Sequence, residues 1–395
     1  MDLTDDLSFA GTEFWAHFAW LRENDPVSRH PDSRGGFWVV SRYADVLSVY
    51  RDAAGFSSRH GMRLGTNATA VDAVTGQMLI VSDQPDHAQL KTVLAKAFSP
   101  AAIPHAEDLV RTVVRGLLDD ALAAGEVDMV ETARRLPTRV VCALMGVPQQ
   151  EWDWLGGTMN DAFEGEDEQS RLGAHAEIFL YFSELVLDRR ENPGDDFVSR
   201  IATDRRSTVD GTKRPLTDTE IVVNCNGVLA GGNETTRYSA AGAVLALVEH
   251  PDQWAALRAD RALLPDAVEE VLRWTTPGVH VLRTATAPTT IGGTDIAAGD
   301  RVTLWNVSAN RDDAEFGDAA RFRVNRTPNR HLAFGGGRHQ CLGARLARLE
   351  LTVFLEELLD RVAAVEITGE PRYTASNFTW GVRELPVRLR GACRT

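Results

Sequence analysis

The sequence predicts a mainly α-helical protein with a small β lobe, and three observations carry that expectation. Apolar residues recur at helical spacing through 87–97, 104–123, 132–145, 171–190, 218–249, 265–274 and 343–360. Strand-like runs are confined to 37–41 near the start and, beyond residue 280, to 282–285, 289–291, 302–305 and 387–389. No repeat, low-complexity tract or Gly/Ser linker interrupts the chain, so 1–395 reads as a single domain.

Composition narrows the function classes. A 25% charged, 44% hydrophobic chain of 395 residues can bury a sizeable core. The net charge of −14 disfavours nucleic acid as a partner. No apolar run approaches the roughly 20 residues that span a bilayer, and the start is acidic where a signal peptide is basic. A cytoplasmic protein without a membrane anchor is expected. Cys142, Cys225, Cys341 and Cys393 are widely separated, which suggests neither a zinc site nor a disulfide framework. Three of them read as inert.

Taken in chain order, the elements place chemistry at a few points. His87 and Lys91 stand one helical turn apart at the start of 87–97, so both can face one carboxylate. Thr217-Asp-Thr-Glu220 reads as a capping box opening the 218–249 helix, which His250-Pro251 stops. At 1.5 Å per residue that helix is about 45 Å long and crosses the protein. Its middle carries Gly231-Gly232-Asn233-Glu234-Thr235. Two adjacent glycines in a helix interior each cost about 1 kcal/mol relative to alanine. Their missing Cβ atoms either open room for a flat ligand or allow close helix packing. The Thr235 hydroxyl can bond back to the Gly231 carbonyl, and a carboxylate beside a hydroxyl suits a proton relay.

Further along, Glu270 and Arg273 lie on one helix face, and Arg283 sits in a strand-like run. Between Ala319 and Leu349 there are seven arginines and no acidic residue, so a cationic patch is expected in an anionic protein. Within it, Phe334, three glycines, His339 and Cys341 lead into the 343–360 helix. The glycines permit positive φ and close approach to a flat ligand, while the helix N-terminus favours a thiolate. A lone thiolate so held suits an axial haem-iron ligand.

The cysteine segment resembles the haem-binding signature of the cytochrome P-450 superfamily, with His339 where many members carry arginine. Residues 230–236 resemble its oxygen-activation motif: Gly231, Gly232, Glu234 and Thr235 fill the motif positions and Asn233 a variable one. Glu270 and Arg273 resemble its E-x-x-R ion pair, which supports the cysteine loop through the segment near Arg321 to Arg326. The resemblance runs from about Phe37 to Arg390 and is closest to soluble bacterial members.

The resemblance implies the triangular fold, with haem b (iron protoporphyrin IX) between the 218–249 helix and the helix after Cys341. It makes Cys341 the iron ligand, Gly232 and Phe334 haem neighbours, and His87, Lys91, Arg283 and His339 propionate contacts. Lys91 stands where arginine is usual and lacks the bidentate fork. The implied activity is a haem-thiolate monooxygenase that uses O₂, with Glu234 and Thr235 passing protons. The chain carries no flavin or nicotinamide fingerprint. Electrons are therefore expected from NAD(P)H through a separate ferredoxin and ferredoxin reductase. Met62, Leu64, Leu79, Val228, Gly231, Val279, Phe378 and Trp380 would line a largely apolar pocket for a small biosynthetic intermediate of bacterial secondary metabolism. A monomer is expected. Two other readings are a tailoring hydroxylase acting on an amino acid tethered to a carrier protein and a non-catalytic haem-binding scaffold.

Overall fold

A computed structural model describes residues 1–99, 103–164 and 167–392. Cys393 lies outside them. The organising element is the central helix Asp218–Glu249. The Thr217 hydroxyl accepts the Glu220 N–H at 3.1 Å, and the Glu220 carboxylate accepts the Thr217 N–H at 2.8 Å. Both halves of the capping box are present. At the other end His250 closes the helix and Pro251 opens the next, Pro251–Ala259, where its missing N–H costs nothing.

The two halves of the central helix serve different cores. From Ala240 to Leu247 every residue is buried, and a helix apolar on all sides has to be enclosed. Helices Met129–Leu144, Leu264–Thr275 and Ala344–Arg361 pack against it, with Ile103–Ala124 in the same apolar cluster. Towards the N-terminus, Ile221, Val222, Cys225 and Leu229 join a second cluster with Met159, Ile178 and Phe182 of helices Trp152–Glu164 and Glu168–Glu191. The stretch between the two cores carries the Gly-Gly-Asn-Glu-Thr residues.

The β lobe is a five-stranded sheet in the spatial order Val27–His30, Phe37–Val40, Arg301–Trp305, His280–Ala285, Phe56–Ser57. Only the Phe37–Val40 and Arg301–Trp305 pair is parallel. Register sets Arg283 opposite Val302. A three-stranded sheet runs in the order Val362–Ile367, Pro386–Gly391, Glu126–Asp128.

All seven expected helices and all five strand-like runs occupy their expected stretches. Elements absent from the sequence reading are short ones, among them helices Phe14–Asn24, Tyr43–Arg51, Ala68–Val74 and Phe197–Thr203, strand Val27–His30, and the hairpin strands Arg205–Ser207 and Lys213–Pro215. Longer omissions are Trp152–Glu164 and Val362–Ile367, whose burial pattern Beeiei does not alternate. Among the described residues no helix is long and apolar enough to cross a membrane.

Candidate active site

The Cys341 N–H donates to the Phe334 carbonyl at 2.9 Å and so closes the cysteine loop. Gly335 and Gly337 adopt φ of +66° and +63°. A Cβ on Gly337 would stand 2.0 Å from the Tyr50 carbonyl oxygen. The glycine is thus required by approach to helix Tyr43–Arg51, which corrects the expectation that these glycines make room for a flat ligand. On the other side the Arg348 guanidinium lies 4.6 Å over the Phe334 ring and forks the Glu269 carboxylate at 2.6 and 2.8 Å. Lys91 Nζ donates to the Arg338 carbonyl and, at 3.3 Å, to that of Gln340. The lysine read as a propionate contact braces the loop from helix Asp86–Ala97.

Cys341 precedes by two residues Gly343, the N-cap of Ala344–Arg361. The residue is exposed, yet protein crowds its sulfur, and that desolvation raises the thiol pKa. The Gly343 N–H, Lys91, Arg348 and the Ala344 N–H pull it back without winning. The helix N-terminus thus favours the thiolate, as the sequence suggested, and burial outweighs it. A metal ion on the sulfur would deprotonate it outright.

Next to this loop three distant segments bring His87, Arg283 and His339 together. The rings of His87 and His339 lie 4.0 Å apart, and His339 Nε2 is 3.2 Å from the Ser58 hydroxyl. Arg283 is buried, with one N–H on the Leu282 carbonyl at 2.7 Å. Burial, then Arg283, His87 and Lys91, push His339 down to about 3. Burial, then Lys91, push His87 to about 4, with Asp83 opposing and Arg338 and Arg283 adding. Asp83 is already engaged by the Ser57 hydroxyl at 2.5 Å and the Ser58 N–H at 2.9 Å. One buried guanidinium flanked by two imidazoles that are neutral on their own, and that an adjacent anion would help to protonate, fits a dianionic ligand edge, as haem propionates would supply. Among the described residues no group of three or more His, Cys, Asp or Glu could hold a bare metal ion.

In the central helix the Thr235 hydroxyl donates to the Gly231 carbonyl at 2.8 Å, as the sequence suggested. The two glycines divide the roles offered for them. A Cβ on Gly231 would meet nothing within 4 Å, whereas one on Gly232 would stand 2.9 Å from Val141 Cγ2. Gly232 serves contact with helix Met129–Leu144. Glu234 is buried and accepts from Arg237 Nη2 at 3.2 Å and from the Thr379 hydroxyl at 3.4 Å. Acid and alcohol thus make separate bonds. Arg237 also donates to the Tyr238 hydroxyl at 2.8 Å and to Asn160 Oδ1 at 3.2 Å. The sequence reading missed Arg237, although Glu234 and Arg237 have the same i,i+3 spacing as Glu270 and Arg273.

A second omission is Glu350, a buried carboxyl on the apolar face shared by Leu346, Val353 and Phe354. Among the described residues its Oε1 has no hydrogen-bond partner, and burial pushes its pKa up to about 8, with Thr236 of the central helix opposing. A charged residue in helical register with core residues was the available signal. Because its folded pKa exceeds its unfolded value, the folded state binds the extra proton between about pH 4.5 and 8. Stability should fall as pH rises through that window, by at most about 1.4 kcal/mol per pH unit. Glu350→Gln is expected to flatten the decline in melting temperature from pH 5 to about 8. An unchanged profile would contradict the assignment.

Glu270 and Arg273 are fully buried and bonded twice, at 2.7 and 2.8 Å. Arg326 Nε reaches both Glu270 oxygens at 3.0 and 3.2 Å, the Arg323 N–H one of them at 2.8 Å, and Asn329 Nδ2 the other at 3.1 Å. Arg273 also donates to the carbonyls of Asn310, Ala319 and Arg321. The pair therefore clamps the segment that leads to the cysteine loop.

Of the expected pocket residues, Leu64, Val279 and Trp380 are core. They are buried in one cluster with Phe9, Phe14, Phe18 and Trp305, and Trp380 Nε1 donates to the Phe9 carbonyl at 2.9 Å. That corrects their assignment. Met62, Leu79, Val228 and Phe378 are partly buried, and Gly231 is exposed. The Leu79 N–H donates to Asn224 Oδ1 at 2.9 Å and Met78 Cε lies 3.0 Å from the Cβ position of Gly227. Those contacts bring the Leu79 segment to the central helix beside Val228. Thr379 does the same for the Phe378 turn through Glu234.

Comparison with known proteins agrees with this geometry. The family described as Cytochrome P450 matches residues 159–372. The chain is 39% identical to the putative cytochrome P450 126 of Mycobacterium tuberculosis over 99% of its own length and 98% of that protein. The crystal structure of P450 OxyD, involved in the biosynthesis of vancomycin-type antibiotics, superposes with a TM-score of 0.90 at 39% identity, covering 99% of this chain and 100% of that one. P450BioI in complex with hexadec-9Z-enoic acid ligated acyl carrier protein superposes with a TM-score of 0.86 at 27% identity, covering 96% of this chain and 98% of that one.

Proposed function

The chain belongs to the cytochrome P450 family of haem-thiolate monooxygenases, and on that premise we propose that it oxidises a small, largely apolar biosynthetic intermediate. The observation that carries the reading is the convergence of buried His87 and Arg283 with half-buried His339 beside the Cys341 loop, one guanidinium flanked by two imidazoles. Haem b, when bound, supplies the activation of O₂ from which one oxygen atom enters a C–H or C=C bond. Cys341 would hold the iron, and its thiolate would favour O–O cleavage. His87, Arg283 and His339 would hold the propionates, and Lys91 keeps the loop in place. Gly231 leaves the helix face open, and Thr235 carries the proton that Glu234 relays.

Thr235→Ala is expected to keep oxygen and electron consumption but to lower product per reducing equivalent by about an order of magnitude or more. Peroxide should take the place of product. An unchanged ratio would leave Thr235 as a helix hydroxyl bonded to Gly231 and nothing more.

Electrons reach the site from NAD(P)H through a ferredoxin reductase and an acidic ferredoxin docking on the cysteine side. Arg338 and Arg345 are exposed there, and Arg51 and Arg330 line a surface pocket of about 320 Å³ beside Gly335, Gly336 and Gly337. Arg348, in the same arginine-rich stretch, is paired with Glu269. Exposed charges are screened beyond about 8 Å at physiological salt, so first-electron transfer should slow as ionic strength rises. Arg338→Glu with Arg345→Glu should remove that salt dependence; an identical salt slope would place the donor elsewhere. The acyl-carrier-protein complex of P450BioI supports a second reading, a substrate tethered to a carrier protein. Binding of a loaded carrier in preference to the free acid would establish it.

A further inference from the structure

Arg63 lies in the loop between strand Phe56–Ser57 and helix Ala68–Val74. Its guanidinium stands 5.1 Å over the Phe378 ring. Among the described residues no side chain or carbonyl hydrogen-bonds that guanidinium, and no carboxylate pairs with it within 4.0 Å. The platform beneath it is next in sequence to Thr379, whose hydroxyl reaches Glu234.

The surroundings of Arg63 are aromatic and basic. His280 is buried, 6.0 Å edge-on from the Phe378 ring, and its Nε2 accepts the Leu64 N–H at 3.0 Å. His175, from helix Glu168–Glu191, meets the Phe163 ring at 5.8 Å. The Arg63 charge helps to depress both histidines, after burial. The acid that offsets Arg63 is Asp6, which accepts the Asn377 N–H at 2.9 Å. Arg63 is an exposed residue, and neighbouring protein atoms lower its pKa by partial desolvation. A planar cation braced on an aromatic face, with its N–H edge unbonded and accessible, is placed to receive a planar or tetrahedral oxyanion.

We infer that Arg63, braced on Phe378, anchors an oxyanionic group of the substrate, so that the molecule oxidised is an apolar body carrying one negative end. The inference rests on the haem-thiolate reading and narrows its substrate class. A free carboxylate and the phosphate of a pantetheine tether share this chemistry, and a neutral terpenoid lacks it.

The test uses the haem-loaded protein and a graded chain-length series of ω-imidazolyl alkanoic acids, with their methyl esters and the matching alkyl phosphates. Imidazole fixes one end on the iron and shifts the Soret band, so the preferred chain length reads how far the anion site lies. At one or more lengths the acid should bind about tenfold or more tighter than its ester. Arg63→Gln should bring that ratio to one, and Arg63→Lys should keep part of it. A ratio near one at every length in the wild type, or an undiminished ratio in Arg63→Gln, overturns the inference. Phosphates binding tighter than acids would assign the site to a tether. If parent imidazole shifts no Soret band, the haem reading itself fails and the inference falls with it.

Discussion

Cys341→His will retain part of its haem but lose the red-shifted absorption of the reduced carbonyl complex, and with it nearly all monooxygenase turnover. The reason is electronic. Imidazole is a neutral donor, whereas a thiolate pushes charge towards the iron and favours O–O cleavage. Haem retention is expected because the His87, Arg283 and His339 group and the clamped loop are untouched by the substitution. The controls are Cys142→Ser and Cys225→Ser. Both thiols are fully buried, and burial pushes Cys142 up to about 12 and Cys225 higher still. Neither has a route to a ligand. If Cys341→His keeps the red-shifted band while either control abolishes it, the ligand assignment is wrong.

Glu270→Ala should cost about 3–5 kcal/mol of stability, because it strands two buried arginines whose charge this one carboxylate offsets. The damage should not stay local. Arg273 and Arg326 together hold carbonyls from Asn310 to Arg321, and Asn310 Oδ1 accepts the Leu332 N–H at 2.7 Å, two residues before Phe334. Loosening that segment loosens the cysteine loop, so haem per protein should fall along with the melting temperature. Glu270→Gln keeps the shape but not the charge and should cost less. Wild-type haem content and melting temperature in Glu270→Ala would reduce the pair to ordinary packing.

These two cases show what the sequence carried by itself. The central helix was legible to the residue because both its ends are local chemistry: a Thr-x-x-Glu box opens it and a proline closes it. The Thr235 bond to Gly231 followed from helix geometry, as did the Glu270 to Arg273 pair. The family signature around Cys341 depends on spacing within one segment, which a sequence states directly.

What the tertiary structure decided is every question in which the partner is remote in sequence. Gly337 is glycine because of Tyr50, Gly232 because of Val141, and Arg348 is neutralised by Glu269. Leu64, Val279 and Trp380 fill a core with Phe9 and Phe14, since an apolar side chain looks the same whether it faces a substrate or another ring. The thiol pKa of Cys341 divides along the same line. The helix N-terminus that lowers it is local, but the desolvation that raises it comes from the whole surrounding fold.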